Sequence, residues 1–353
     1  MTVEAKKVRE LLGKNILADG FEPILDLEKS HDSWIIDKRD GSEYLDMFSM
    51  YASGCIGYNH RRILENKDLL AKVSLFKPTL SDIYTTEYAD FMKVFDETAI
   101  PEYLKNTFFI EGGGLAVENA LKVAFDWKVR KNLQSGIKGK GYQILHFKEA
   151  FHGRTGYTLS LTNTDPIKTK FFPKFDWPRI DNPYLSFPVN DDVISNVQEK
   201  EKNAINQIEE ALKNNPNDIA GLIIEPIQGE GGDNHFRSEF FKELKSLSIK
   251  HDFLLIYDEV QTGIGITGKM WAHEHFKDSE PDIISFGKKT QVCGILAGDR
   301  INEIENNVFK RSSRINSTFG GSLTDMVRFK IILETIKEFN LLENAKINGQ
   351  YLL

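Results

Sequence analysis

Phe253-Leu254-Leu255-Ile256-Tyr257-Asp258-Glu259-Val260-Gln261-Thr262-Gly263 carries five apolar or aromatic residues in a row, then two carboxylates. A continuous apolar run of this length, stopped by charge and glycine, predicts a strand buried on both faces. In open α/β sheets ligands bind outside the carboxyl ends of such strands. Asp258 therefore stands where a ligand would be. Further on, Asp282-Ile283-Ile284-Ser285-Phe286 predicts a second strand, ending on Gly287-Lys288-Lys289. Taken alone, a strand-end Asp also serves as a helix cap, and a Lys pair is commonly solvated surface. The rest of the chain has to decide.

Upstream, Asn106 to Glu111 predicts a short strand, Gly112-Gly113-Gly114 a turn, and Leu115 to Arg130 a helix with Val117, Ala120, Leu121 and Ala124 at helical spacing. Glycines at a helix N-terminus let the backbone approach an anion, although they equally mark a plain tight turn. Without Gly-Lys-Ser/Thr this is not a P-loop. Tyr142 to Phe147 predicts another strand, followed by Phe151-His152-Gly153-Arg154-Thr155. There an aromatic has the shape to stack on a flat ring and Arg154 the fork to hold a carboxylate; a core Phe and a surface Arg are the plain readings. Residues 165–190, rich in Pro and aromatics, read as a long ordered loop. Val193 to Leu212 is a charged helix, Ile219 to Glu225 a buried strand, and Ile227 to Gly232 a flexible acidic loop. Phe240, Leu244 and Leu247 mark the helix before the central strand; Arg311 to Gly321 is a polar loop, and Met326, Phe329, Leu333 and Ile336 mark a further helix. At the start, residues 1–30 read as an amphipathic helix and loop. Asp40-Gly41 between apolar runs predicts a hairpin. In the glycine-containing loop after it, Tyr51 and His60 are either ligand-facing or simply packed. Strands alternating with helices from about 106 to 300 predict a mostly parallel sheet with helices on both faces.

The 353 residues are 41% hydrophobic and 27% charged, with net charge −7, as in a globular protein without a nucleic-acid footprint. No apolar run approaches the roughly 20 residues that span a membrane. Met1 to Glu10 lacks the apolar core of a secretory signal. Two cysteines, Cys55 and Cys293, fit a reducing, cytoplasmic setting, and no Cys/His spacing suggests zinc. A strand-end acid with a later strand-end lysine suggests pyridoxal phosphate: Lys288 as Schiff-base amine, Asp258 holding the pyridine nitrogen protonated.

Five stretches, in this order, resemble the class III (ω-amino acid) aminotransferases of pyridoxal phosphate fold type I: Glu111-Gly-Gly-Gly-Leu-Ala-Val-Glu-Asn-Ala-Leu-Lys122, Phe151-His-Gly-Arg-Thr-Gly-Tyr157, Ile224-Glu-Pro-Ile-Gln-Gly-Glu-Gly-Gly232, Asp258-Glu-Val-Gln-Thr-Gly263 and Phe286-Gly-Lys-Lys-Thr-Gln-Val-Cys-Gly294. The last, with Asn316-Ser-Thr-Phe-Gly-Gly321, resembles the lysine branch more than the ornithine, 4-aminobutyrate or acetylornithine branches. The resemblance implies an α/β fold with a seven-stranded, mostly parallel sheet and a partial small domain: 1–75 an N-terminal segment of the small domain, 76–322 the large cofactor-binding domain, 323–353 a linking helix and the start of a C-terminal domain.

It also implies roles. Lys288 would carry the cofactor and Asp258 pair with its ring nitrogen. Val260 and Phe151 would sandwich the ring, Gln261 approach its hydroxyl, and Glu225 help position it. Gly113 and Gly114 would bind the phosphate, with Thr318 reaching it from the second chain of a homodimer with shared sites. Arg154 would take the substrate α-carboxylate, Asn316 would line the pocket, and Glu230 resembles an acid that gates a second arginine. The implied substrates are L-lysine, reacting at its ε-amine, and 2-oxoglutarate. The reading of Leu341 to Leu353 as an uncapped terminal helix leads to the expectation of a C-terminally truncated enzyme, weakly active by itself or an inactive cofactor-binding fragment.

Overall fold

The apolar run that opens the sequence argument becomes the central strand of the molecule. The structure, a computed structural model, describes residues 3–352. In chain order its strands are β1 (Trp34–Ile36), β2 (Glu43–Leu45), β3 (Asn106–Ile110), β4 (Gln143–Phe147), β5 (Arg179–Ile180), β6 (Ile219–Ile224), β7 (Ile227–Gln228), β8 (Asn234–His235), β9 (Leu254–Asp258), β10 (Ile283–Phe286) and β11 (Cys293–Ala297). Seven form one sheet in the order β3-β11-β10-β9-β6-β4-β5. Pairing is parallel from β10 through β9, β6 and β4 to β5, and β11 alone runs antiparallel, to β10 on one side and β3 on the other.

Every residue of β9 is buried. Its side chains alternate between the two faces, as the two-residue period of a strand requires. Leu254 and Ile256 join the core with Val117, Ala120, Leu121, Ala124 and Trp127 of the helix Gly113–Gln134. Tyr257 points the other way and meets Phe241 of the helix Ser238–Lys250 edge to face, with ring centroids 5.4 Å apart. Each fully buried large side chain of this kind contributes about 1.5–3 kcal/mol. A third aromatic layer joins Phe91 and Phe95 of the helix Thr86–Thr98 to Phe329 of the helix Leu323–Glu338, and Phe95 to Phe286 at the end of β10.

Three expectations change. The helix after the glycines starts at Gly113, so two glycines belong to its first turn. The segment after Pro226 is the hairpin β7–β8, whose strands each supply only two residues to the ladder. The Pro-rich loop contributes the edge strand β5. The terminal helix forms over Leu341–Leu352, and Leu353 lies outside the described residues.

The chain divides into two compact units, Met1–Lys72 and Val73–Leu353. In the first, the hairpin expected at Asp40-Gly41 forms as β1–β2, and the opening helix is short, Val8–Gly13. His60 caps the helix Arg61–Glu65, its Nδ1 accepting from Arg62 N at 3.2 Å. Tyr51 packs edge to face on Phe48, at 4.7 Å. His60 thus has a capping role, whereas Tyr51, in contact with Phe48, is exposed. The remaining site residues all belong to the second unit.

Candidate active site

Asp258 ends β9 and is buried among three partners. Its Oδ2 lies 2.7 Å from His152 Nδ1, and its Oδ1 accepts from Ser285 Oγ at 2.9 Å and from Val260 N at 3.1 Å. The donors come from β10, from the turn after β9 and from the loop after β4, so segments of three strands of the sheet orient one carboxylate. Sequence reasoning quoted His152 and gave it no role. Its Nε2 is buried without a hydrogen-bond partner.

Lys288 follows β10 through Gly287 and takes a left-handed φ of 54° in the turn that reverses the chain into β11. Its Nζ donates to Gln261 Oε1. Burial lowers the pKa of its ammonium, while the charges of Asp258, Glu230 and Glu225 act in the opposite sense. The adjacent Lys289 is buried, and its Nζ donates to the Gln261 carbonyl at 2.6 Å.

Gly113 and Gly114 open a 22-residue helix that has no side-chain cap at Gly112. A Cβ at Gly113 would stand 3.0 Å from Val260 Cγ1, so the helix start and the turn after β9 are in van der Waals contact. The loop after β4 closes on the same spot. Gly153, at φ +109°, would place a Cβ 2.7 Å from Gly114 Cα. Gly153→Ala is therefore expected to cost about 1–3 kcal/mol and to loosen the cradle, read as a lower Tm together with weaker cofactor binding; an unchanged pair of values would refute the tight approach. In that loop Phe151 N donates to Glu225 Oε1 at 2.9 Å. Glu225 is buried, which drives its pKa well up, and the negative Asp258 adds to the rise. Arg154 is exposed and makes no hydrogen bond or ion pair among the described residues.

Glu230 lies on the β7–β8 hairpin and pairs with Lys168, a residue that sequence reasoning passed over. Asn316 and Thr318 follow β11 on a different segment of the chain. Both are exposed, on a loop tied down by Ser81 Oγ donating to the carbonyls of Ser317 and Thr318 at 2.9 and 3.2 Å. No hydrogen bond or ion pair among the described residues joins them to Asp258 or Lys288.

The donor set has the chemistry for a flat, anionic, aldehyde-bearing ring: an uncapped helix start, an oriented buried acid and an amine whose ammonium is disfavoured by burial. The family comparison agrees. Residues 17–353 match the family model for class III aminotransferases. The chain is a class III aminotransferase. It is 49% identical to the L-lysine-epsilon aminotransferase of Mycobacterium tuberculosis over 98% of its own length and 77% of that protein's. With its counterpart from Streptomyces clavuligerus the identity is 44%, over 99% and 77%. The solved lysine aminotransferase from M. tuberculosis superposes with a TM-score of 0.96 at 48% identity, covering 99% of this chain and 80% of that one. This aminotransferase thus has the family's α/β fold and its cofactor, pyridoxal phosphate. Among the described residues no helix is long and apolar enough to cross a membrane.

Proposed function

We propose that this aminotransferase moves the ε-amino group of L-lysine to 2-oxoglutarate, giving 2-aminoadipate 6-semialdehyde and L-glutamate, as a cytoplasmic homodimer. The observation that carries the reading is the 49% identity, over nearly the whole chain, with a protein named for the lysine reaction. Bound pyridoxal phosphate supplies the electron sink for the carbon–hydrogen bond that breaks.

The chain's residues divide the remaining work. The N–H groups of Gly113 and Gly114 and the positive end of their helix would hold the phosphate. Val260 and Phe151 would hold the two faces of the ring, Gln261 its hydroxyl side, and Asp258 its nitrogen. Glu225 fixes the backbone of Phe151 and so the angle of that ring. Lys288 Nζ first anchors the cofactor and then, as a neutral amine, carries the proton from the substrate carbon. Burial supports that role, because it lowers the pKa of the ammonium. Arg154, exposed and unpaired, takes the substrate α-carboxylate so that the ε-amine enters first. Glu230 and Asn316 complete the substrate side.

Mass analysis of the products from a panel of ω-amino acids tests the substrate. Semialdehyde from lysine is expected, and turnover of ornithine or 4-aminobutyrate in its place would refute the assignment. Borohydride treatment of the loaded protein should fix the cofactor on Lys288; a label on Lys289 would remove Lys288 from its role.

Thr318 is assigned to the partner chain's phosphate. What favours this is its exposed position and that, among the described residues, no hydrogen bond joins it to Asp258 or Lys288. A verified heterodimer of a Lys288→Ala chain and a Thr318→Ala chain would then gather both lesions in one site and leave the other intact. Recovered turnover is expected, and none would mean that each chain builds its own site.

A further inference from the structure

Lys77 lies in the segment that leads into the helix Thr86–Thr98, and the functional reading above gives it no part. Its Nζ donates to both carboxylate oxygens of Glu111, at 2.6 and 2.8 Å, and sits 4.1 Å from the centre of the Phe319 ring. Glu111 joins β3 to Gly112, Gly113 and Gly114. Phe319 directly follows Thr318. One ammonium therefore touches the residue before the glycine turn and the residue after Thr318.

The contact belongs to a set. Leu80 N donates to the Phe319 carbonyl at 3.0 Å, and Ser81 Oγ donates to the carbonyls of Ser317 and Thr318 at 2.9 and 3.2 Å. At Gly320, with φ +61°, a Cβ would stand 3.0 Å from Ser81 N. Residues 77–81 thus form a close seat for the loop 317–320, although 236 positions separate Ser81 from Ser317. Lys77 extends that seat to Glu111. The side chains of Lys77 and Glu111 are 43% and 44% exposed, so their pair adds little to stability. Its consequence is positional: a carboxylate and a ring face hold one ammonium between two segments of the chain.

We propose that Lys77 is a positioning residue for both phosphate sites of the dimer: through Glu111 it steadies the glycine turn of its own chain, and through Phe319 it steadies the loop that carries Thr318 to the partner chain's phosphate. The role rests on the readings of Gly113, Gly114 and Thr318 given above. Lys77 acts through its two neighbours and is given no contact with the cofactor. Each site would then depend on two copies of Lys77, one from each chain.

The test reads cofactor binding at one site of a dimer, without turnover. Verified heterodimers pair a Lys288→Ala chain with a chain that keeps Lys288, so borohydride fixes cofactor on the second chain only. The readout is the pyridoxal phosphate concentration that gives half-maximal labelling of Lys288. Lys77→Met is placed in the Lys288→Ala chain, where it reaches the labelled site through the Thr318 loop, or in the other chain, where it acts through the glycine turn. Each arrangement is expected to raise the half-point about threefold, the size of effect one exposed charge pair supports. Pyridoxal, which lacks the phosphate, is expected to label as before, which a general loosening of the site would not allow. Lys77→Arg keeps the charge and should restore the half-point. An unchanged half-point in either arrangement, or equal shifts for the two aldehydes, overturns the proposal. Thr318→Ala in the Lys288→Ala chain is the reference. If it leaves the labelled site unaffected, the reading of Thr318 fails and this role with it, whereas a shift with Thr318→Ala and none with Lys77→Met overturns the role of Lys77 alone.

Discussion

Asp258→Asn should keep cofactor and lose turnover by about 10²–10³-fold, the usual cost of removing one preorganised electrostatic partner. The geometry explains why a nearly isosteric change is so disruptive. Oδ1 accepts from Ser285 Oγ and Val260 N, so the amide oxygen must take that position. The amide nitrogen then faces His152 Nδ1, which must turn from donor to acceptor. The imidazole proton moves to Nε2, which is buried without a partner. Leaving that N–H unsatisfied costs about 1–3 kcal/mol on its own. Two losses follow together: the negative charge that keeps the ring nitrogen protonated, and a settled tautomer behind it. Cofactor absorbance and the rate of the lysine half-reaction check the prediction, and wild-type rates would remove Asp258 from the site.

Arg154→Leu should raise the lysine KM roughly 30-fold with little change in kcat, a loss of about 2 kcal/mol. The low end of the range applies because Arg154 is exposed and water screens it. KM carries the effect because the carboxylate it holds is remote from the reacting carbon and is bound equally before and during the reaction. 1,5-Diaminopentane, which has the amines and no carboxylate, provides the control and should respond little to the substitution. An unchanged lysine KM would take Arg154 out of the pocket.

How much of this was legible depended on local signal. Strands β3, β4, β6, β9 and β10 announced themselves as apolar runs, and the helix from Gly113 by its spacing. The two-residue strand β5 is too short for any period to show. In β11 the apolar run carries Gly294 at its second position, which hides its strand character. The hairpin β7–β8 read as a flexible acidic loop, whereas its Gly229 and Gly231 give clearance against Gln261 and Glu149. Asp258 and Lys288 were visible as polar residues at strand ends. His152 was not, because its partner is 106 residues away and an imidazole beside an aromatic carries no local mark. Lys168 was hidden for the same reason, 62 residues from Glu230. The resemblance supplied roles for Thr318 and Asn316, which nothing local in their polar loop suggests.

The lone antiparallel strand sets a length. β11 pairs Cys293 with Ile110, just before the glycines assigned above to the phosphate, and Gly294 with Phe286, just before Lys288. On those assignments one rigid ladder would gauge the distance between the two ends of the cofactor, its anion and its aldehyde carbon. A shift of β11 by a single residue would turn its side chains to the opposite faces and misalign both grips at once. Binding strength and amine reactivity, usually separable properties of a site, would then be tied in this protein to the same five residues.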